Sequence, residues 1–180
     1  MRDTKGKLRV LSLFSGCGGM DLGFEGMFIA NRKSFPQDSL YIDHAINKNW
    51  VMLKKTKFKT VFANDILNEA EVAWTTYMSR FGYQPEMYHN ISIVDLVKMH
   101  KQGADIFPKN IEVVTGGFPC QDFSVAGKRK GFNSDKDDYG KKREGDEPSE
   151  ETRGKLYYWM KQVIDIVKPK IFVAENVKGL

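Results

Sequence analysis

A chain of 180 residues with 41 % hydrophobic, 28 % charged and 12 % aromatic residues has the size and apolar content of one folded domain, which excludes an intrinsically disordered chain. Its formal net charge of +5 fits a polyanionic partner without requiring one. No apolar run approaches the roughly 20 residues of a membrane span, the start Met1-Arg2-Asp3-Thr4-Lys5 carries no signal-peptide core, and two cysteines, Cys17 and Cys120, make neither a disulfide framework nor a four-ligand zinc site.

These features predict a cytoplasmic protein with no membrane association. His44, His89 and His100 have no metal-ligand spacing, and no metal is expected.

In chain order, apolar runs bounded by turn signals alternate with segments of helical period, the pattern of a mostly parallel, doubly wound α/β sheet. Strands are predicted at Leu8 to Leu13, Thr60 to Ala63, Met87 to His89, Val113 to Thr115 and Ile171 to Ala174. Helices are predicted at Met20 to Met27, Glu69 to Phe81, Ile93 to Lys98 and Leu156 to Val167. The second helix would bury Val72, Ala73, Tyr77 and Phe81 before Gly82 stops it; the last would bury Leu156, Trp159, Val163 and Val167 before Pro169. Residues 31–57 read as an inserted connection, and residues 133–152, almost free of apolar groups, as a mobile charged loop.

In such a sheet, ligands bind outside the carboxyl ends of the strands. The first strand ends in Phe14-Ser15-Gly16-Cys17-Gly18-Gly19, a glycine turn that lets backbone approach a nucleotide-like ligand and that mere strand-to-helix packing also uses. The second ends in Asn64-Asp65, whose carboxylate can accept from both hydroxyls of a ribose or cap the next helix. After the fourth strand comes Gly116-Gly117-Phe118-Pro119-Cys120-Gln121, a thiol placed either for attack or for packing. After the fifth comes Glu175-Asn176-Val177, where the carboxyl group reads as a cap or as a partly buried acid.

These segments resemble the cytosine-5 DNA methyltransferases that use S-adenosylmethionine. Leu13 to Gly19 resembles the first motif of that family, Gly117 to Phe132 its catalytic motif, Arg153-Gly154-Lys155-Leu156 the opening of the helix before the fifth strand, and Glu175-Asn176-Val177 its acid motif. The resemblance implies a Rossmann-like methyltransferase fold, incomplete at the C-terminus. It places Phe14, Ser15, Gly16, Gly18 and Gly19 around the cofactor, with Asp65 at the ribose, Ile66 on the adenine, and Asn90, Ile91, Pro119 and Leu156 lining the remainder. The family commonly has Asp where this chain has Asn90, and Asn can still accept a hydrogen bond through its amide oxygen.

The implied chemistry has its own logic. Carbon 5 of cytosine is a poor nucleophile until a thiolate, here Cys120, adds at carbon 6; Glu175 would then stabilise ring nitrogen 3, Pro119 would fix the loop, and the base would be flipped out of double-stranded DNA. Gln121, Ser124, Lys128, Arg129 and Lys130 are the expected DNA contacts. The resemblance further implies the modification half of a restriction-modification system. Beyond Leu180 the family continues with a target-recognition region, so a C-terminal complement is expected, with weak cofactor binding and no site-specific methylation by the chain alone. Methylation of cytosine in transfer RNA and a catalytically incomplete cofactor- or DNA-binding subunit stay open as alternatives. A dinucleotide oxidoreductase would use the glycine turn and Asp65 but leave Cys120 and Glu175 unexplained.

Overall fold

The computed structural model describes residues 6–118 and 155–176. Strand β1 (Leu8–Leu13) is the centre of the fold, paired in parallel with β5 (Phe58–Asp65) on one side and β7 (Val113–Gly116) on the other. Strand β6 (Tyr88–Asn90) continues the sheet beyond β5 and β8 (Ile171–Ala174) beyond β7, so the order β6-β5-β1-β7-β8 is parallel throughout. All five predicted strands are present at their expected positions. Val10 and Leu11 are fully buried, as expected where helices cover both faces of a parallel sheet.

Helices α3 (Ile93–Lys101) and α4 (Leu156–Val167) cover one face, with Leu96, Val97, Trp159 and Val163 packed on Leu11, Leu13, Phe62 and Val114. On the other face, α1 (Gly19–Glu25) and α2 (Asn68–Met78) enclose a second cluster in which Trp74 and Met78 meet Ala63 and Tyr88. Side chains alternate along a strand, so neighbours Phe62 and Ala63 serve opposite cores. The predicted α4 stripe holds for Leu156, Trp159 and Val163. That for α2 is corrected: Ala70, Trp74 and Met78 are its buried residues, and Val72 is 64 % exposed. The same helical period fits both stripes, and the larger burial available to Trp74 decides the rotation.

The inserted connection has structure that the sequence did not reveal. It folds as a separate antiparallel sheet, order β2-β4-β3, built from β2 (Ile29–Asn31), β3 (Ile42–Ala45) and β4 (Trp50–Leu53). These strands have only three or four residues each, and alternation is legible only at Val51 and Leu53, which are buried between exposed Trp50 and half-buried Met52. The residues expected as a mobile loop, 133–152, lie outside the described residues. None of the described helices is long and apolar enough to cross a membrane. Strand β8 pairs only with β7 among the described residues, and Ile171, Phe172 and Val173 are 62 %, 57 % and 39 % exposed. Among the described residues, β8 thus leaves a sheet edge and an apolar surface uncovered.

A buried polar pair ties α1 to α2. Asp21 is 1 % exposed, accepts a 2.6 Å hydrogen bond from Trp74 Nε1, and leaves Oδ1 without a partner among the described residues. Burial pushes its carboxyl up to about 6, against the pull of hydrogen bonds from Ser12 and Trp74. The folded chain therefore binds this proton more tightly than the unfolded chain, and Asp21 lowers stability as pH rises from about 4 to about 6, by on the order of 3 kcal/mol. Asp21→Asn keeps an acceptor for Trp74 and should gain stability over the wild type as pH rises through this window. Urea denaturation at pH 4.5 and 7.5 checks it; an equal gain at both would contradict the assignment.

Candidate active site

The parallel sheet brings the carboxyl ends of its strands to one edge, in the order Asn90, Asp65, the glycine turn, Gly117-Phe118 and Glu175. Two zones result. Strands β6, β5 and β1 present backbone and hydrogen-bond acceptors, whereas β7 and β8 present the lead-in to Pro119-Cys120 and a carboxyl group. The chain reverses its direction of winding between β1 and β7, which makes that junction the expected ligand crevice.

The glycine turn is held by Asp65. Its Oδ2 accepts from the backbone N–H of Gly16 at 2.9 Å, and its Oδ1 accepts from those of Ile66 and Leu67 at 2.7 and 3.2 Å. The carboxylate thus holds the two residues that precede α2 and clamps the glycine turn at once. These bonds use three of the carboxylate's roughly four lone-pair sites, so one remains for a ribose hydroxyl. Phe14 adopts a left-handed φ of 51°, uncommon for a non-glycine residue, and its ring lies edge-on to Phe118, centroids 6.5 Å apart. Gly18, at φ 88°, has no room for a side chain: a Cβ there would lie 2.7 Å from Trp74 Cδ1. From below, the Tyr88 hydroxyl donates to the Gly16 carbonyl at 3.3 Å.

Asn90 pairs in register with Asp65 and stands beside it at the edge. Its neighbour Asn64 is 1 % exposed and carries a role that the sequence did not disclose. Its amide nitrogen donates to the carbonyls of His89 and Ile91 at 2.8 and 2.7 Å, and its backbone N–H donates to Ser15 Oγ at 3.1 Å, fixing β6 to β5 and to the turn. A polar residue ending an apolar strand was the available signal. Trp74 and Tyr88 gave none, since large aromatics in these positions read as core.

On the other side of the crevice, Glu175 N–H donates to the Gly116 carbonyl at 2.9 Å and Asn176 Nδ2 to the Phe118 carbonyl at 3.0 Å. A Cβ on Gly117 would lie 3.1 Å from Glu175 Oε2, so the glycine leaves the carboxyl group in contact with bare backbone. Glu175 is exposed, which corrects the expectation of partial burial; the uncovered β8 edge accounts for it. Pro119, Cys120, Gln121, Ser124, Lys128, Arg129 and Lys130 lie outside the described residues.

Ile66 and Ile91 are half-buried at the same edge, Cys17 is an exposed free thiol, and Leu156, expected near the cofactor, is 2 % exposed in the main core. The dinucleotide fingerprint requires a glycine three residues after Gly18 for close helix packing, where this chain has buried Asp21 bonded to Trp74. That departure weakens the oxidoreductase alternative.

The sequence model of the family described as C-5 cytosine-specific DNA methylase matches residues 8–180. The chain belongs to this family. It is similar to the Type II methyltransferase M.BsuRI of Bacillus subtilis, 32 % identical over 177 residues, covering 97 % of this chain and 33 % of that protein. It is also similar to the Type II methyltransferase M.NgoFVII of Neisseria gonorrhoeae, 28 % identical over 180 residues, covering 100 % of this chain and 33 % of that protein. Among solved structures it resembles one described as a DNA modification methyltransferase encoded within a prophage (E. coli), with a TM-score of 0.50, 20 % identity, and coverage of 96 % of this chain and 33 % of the other; this likeness supports the fold. The chain spans about a third of the length of the curated relatives it matches.

Asp65 is the member of this site whose loss the geometry makes most specific. Asp65→Ala releases the N–H groups of Gly16, Ile66 and Leu67 together and should cost about 1–3 kcal/mol of stability, the range for hydrogen bonds to a charged group. Equilibrium urea denaturation measures this, and an unchanged midpoint would contradict the clamp.

Proposed function

We propose that this chain is the cofactor-binding and catalytic portion of an enzyme that transfers a methyl group from S-adenosylmethionine to carbon 5 of cytosine in DNA, serving the modification half of a restriction-modification system. The observation that carries this reading is the contact of Glu175 with Gly117, three residues before Cys120 and across the crevice from the Asp65-held glycine turn.

The residues at the edge fit the cofactor. Asp65 keeps an acceptor site for a ribose hydroxyl, the turn from Phe14 to Gly19 is free of cationic side chains and suits a ligand without phosphates, and Asn90 offers an amide beside Asp65. Phe14, Ser15, Gly16, Gly18, Gly19, Ile66 and Ile91 would line the remainder. When bound there, S-adenosylmethionine supplies an electrophilic methyl group.

The chemistry that the chain's own residues perform starts at Cys120. Its thiolate adds to carbon 6 of the flipped cytosine, which makes carbon 5 nucleophilic. Glu175 carries a proton to ring nitrogen 3 and so stabilises the charge that addition creates. Removal of the carbon 5 proton by a base then lets the carbon–sulfur bond break and returns the thiolate. Pro119 stiffens the loop that carries Cys120, while Gln121, Ser124, Lys128, Arg129 and Lys130 hold the DNA.

A C-terminal complement carrying the target-recognition region would also cover the three exposed apolar residues of β8. A partner that binds only the folded chain stabilises it by mass action, so adding such a polypeptide should raise both thermal stability and methylation. With the complement present, Cys120→Ser should abolish methyl transfer and leave affinity for S-adenosylhomocysteine nearly intact, whereas Glu175→Gln should lower the chemical rate and spare affinity. The decisive assay is trapping on DNA carrying 5-fluorocytosine at its methylation site, where the carbon 5 proton cannot be removed. A stable adduct that requires Cys120 is expected. Wild-type turnover by Cys120→Ser would overturn the reading.

A further inference from the structure

Asn90 differs from a carboxylate at the same place in having a donor face and an acceptor face, and the structure fixes which one is presented. Its Nδ2 donates to Asn68 Oδ1 at 2.9 Å and to Glu71 Oε2 at 2.8 Å, both in the first turn of α2. An amide nitrogen carries two hydrogens, so these bonds use its whole donor capacity. Oδ1 is left with no hydrogen-bond partner among the described residues, at a strand end in register with Asp65.

The reversed orientation would set Oδ1 against the Glu71 carboxylate, which offers no proton, and would forfeit a bond to a charged acceptor. Such a bond favours the observed orientation on the order of 10- to 100-fold. We infer that Glu71 and Asn68 are positioning residues that lock the Asn90 carboxamide with its oxygen toward the ligand, and thereby select a 6-aminopurine nucleoside against its 6-oxo counterpart. The inference rests on the cofactor reading above and deepens it. An outward oxygen accepts from an exocyclic amine and meets a 6-oxo group lone pair to lone pair. Without the lock, the carboxamide can rotate and satisfy either base, and discrimination of the kind that an unpaired buried polar group enforces is lost.

The test compares S-adenosylhomocysteine with S-inosylhomocysteine, its 6-oxo analogue, by ligand-observed NMR competition on the full chain, a method that reads weak binding. The wild type should prefer the adenine compound by roughly tenfold or more, from the loss of one such hydrogen bond. Asn68→Ala/Glu71→Ala should bring the ratio close to unity. Asn90→Asp in that background, which has no donor face, should restore the adenine preference. Should the double variant fail to fold by thermal melting, Glu71→Ala alone, which removes the charged acceptor, should still reduce the ratio several-fold. A wild type that binds neither compound sinks the cofactor reading and this inference with it. A wild type that binds both equally, or variants that keep the full wild-type ratio, overturn the lock and leave the cofactor reading standing.

Discussion

The carboxylate of Asp65 joins three pieces of backbone that would otherwise have no common constraint: the turn at Gly16, and the successive N–H groups of Ile66 and Leu67 that open α2. Two buried residues reinforce the joint from within the sheet, Asn64 by bridging β5 to β6 and Trp74 by occupying the space beneath Gly18. The geometry of the β6-β5-β1 half of the edge, proposed above to take the nucleoside half of the methyl donor, depends on this joint, because the turn has little apolar surface of its own with which to hold its shape. A carboxylate that accepts three backbone hydrogen bonds also leaves those N–H groups satisfied, so the turn can face a ligand without exposing unpaired donors.

The two halves of the edge differ in how complete they are. At β6, β5 and β1 every loop is anchored by hydrogen bonds to a neighbouring strand or helix. At β8 the acid rests on Gly117 and Asn176 ties the strand end to Phe118, yet the strand itself is exposed along its length. The glycine-turn half is therefore braced from within, while the surroundings of Glu175 depend on what covers β8. This division follows from the sheet order, which puts the last of the described strands at the rim.

Much of the fold is written in local pattern. The runs Leu8–Leu13 and Ile171–Ala174, and the stripe of Leu156, Trp159 and Val163, are long or apolar enough that only one element type fits them. The inserted sheet escapes such reading because each of its strands is too short to establish a period, and the α2 face escapes it because two stripes compete and tertiary contact with Trp74 chooses. At the site, the candidate ligand contacts were legible as polar or glycine positions after strands. Residues that hold those in place, Asn64, Trp74, Tyr88 and Glu71, were not, because their partners lie 19 to 72 positions away in unrelated elements and no spacing rule connects them. Glu175 is exposed for a related reason: an apolar strand implies burial only where something packs against it.

The central claim is that the nucleoside half of the edge, and no other surface, binds the methyl donor's nucleoside. Titrating the isotopically labelled chain with S-adenosylhomocysteine and following backbone amide shifts tests this directly. Shifts centred on Gly16, Gly18, Asp65 and Asn90 are predicted. Shifts confined to the opposite pole, around Gly26, Lys55 and Lys59, or none at saturating ligand, would contradict the account.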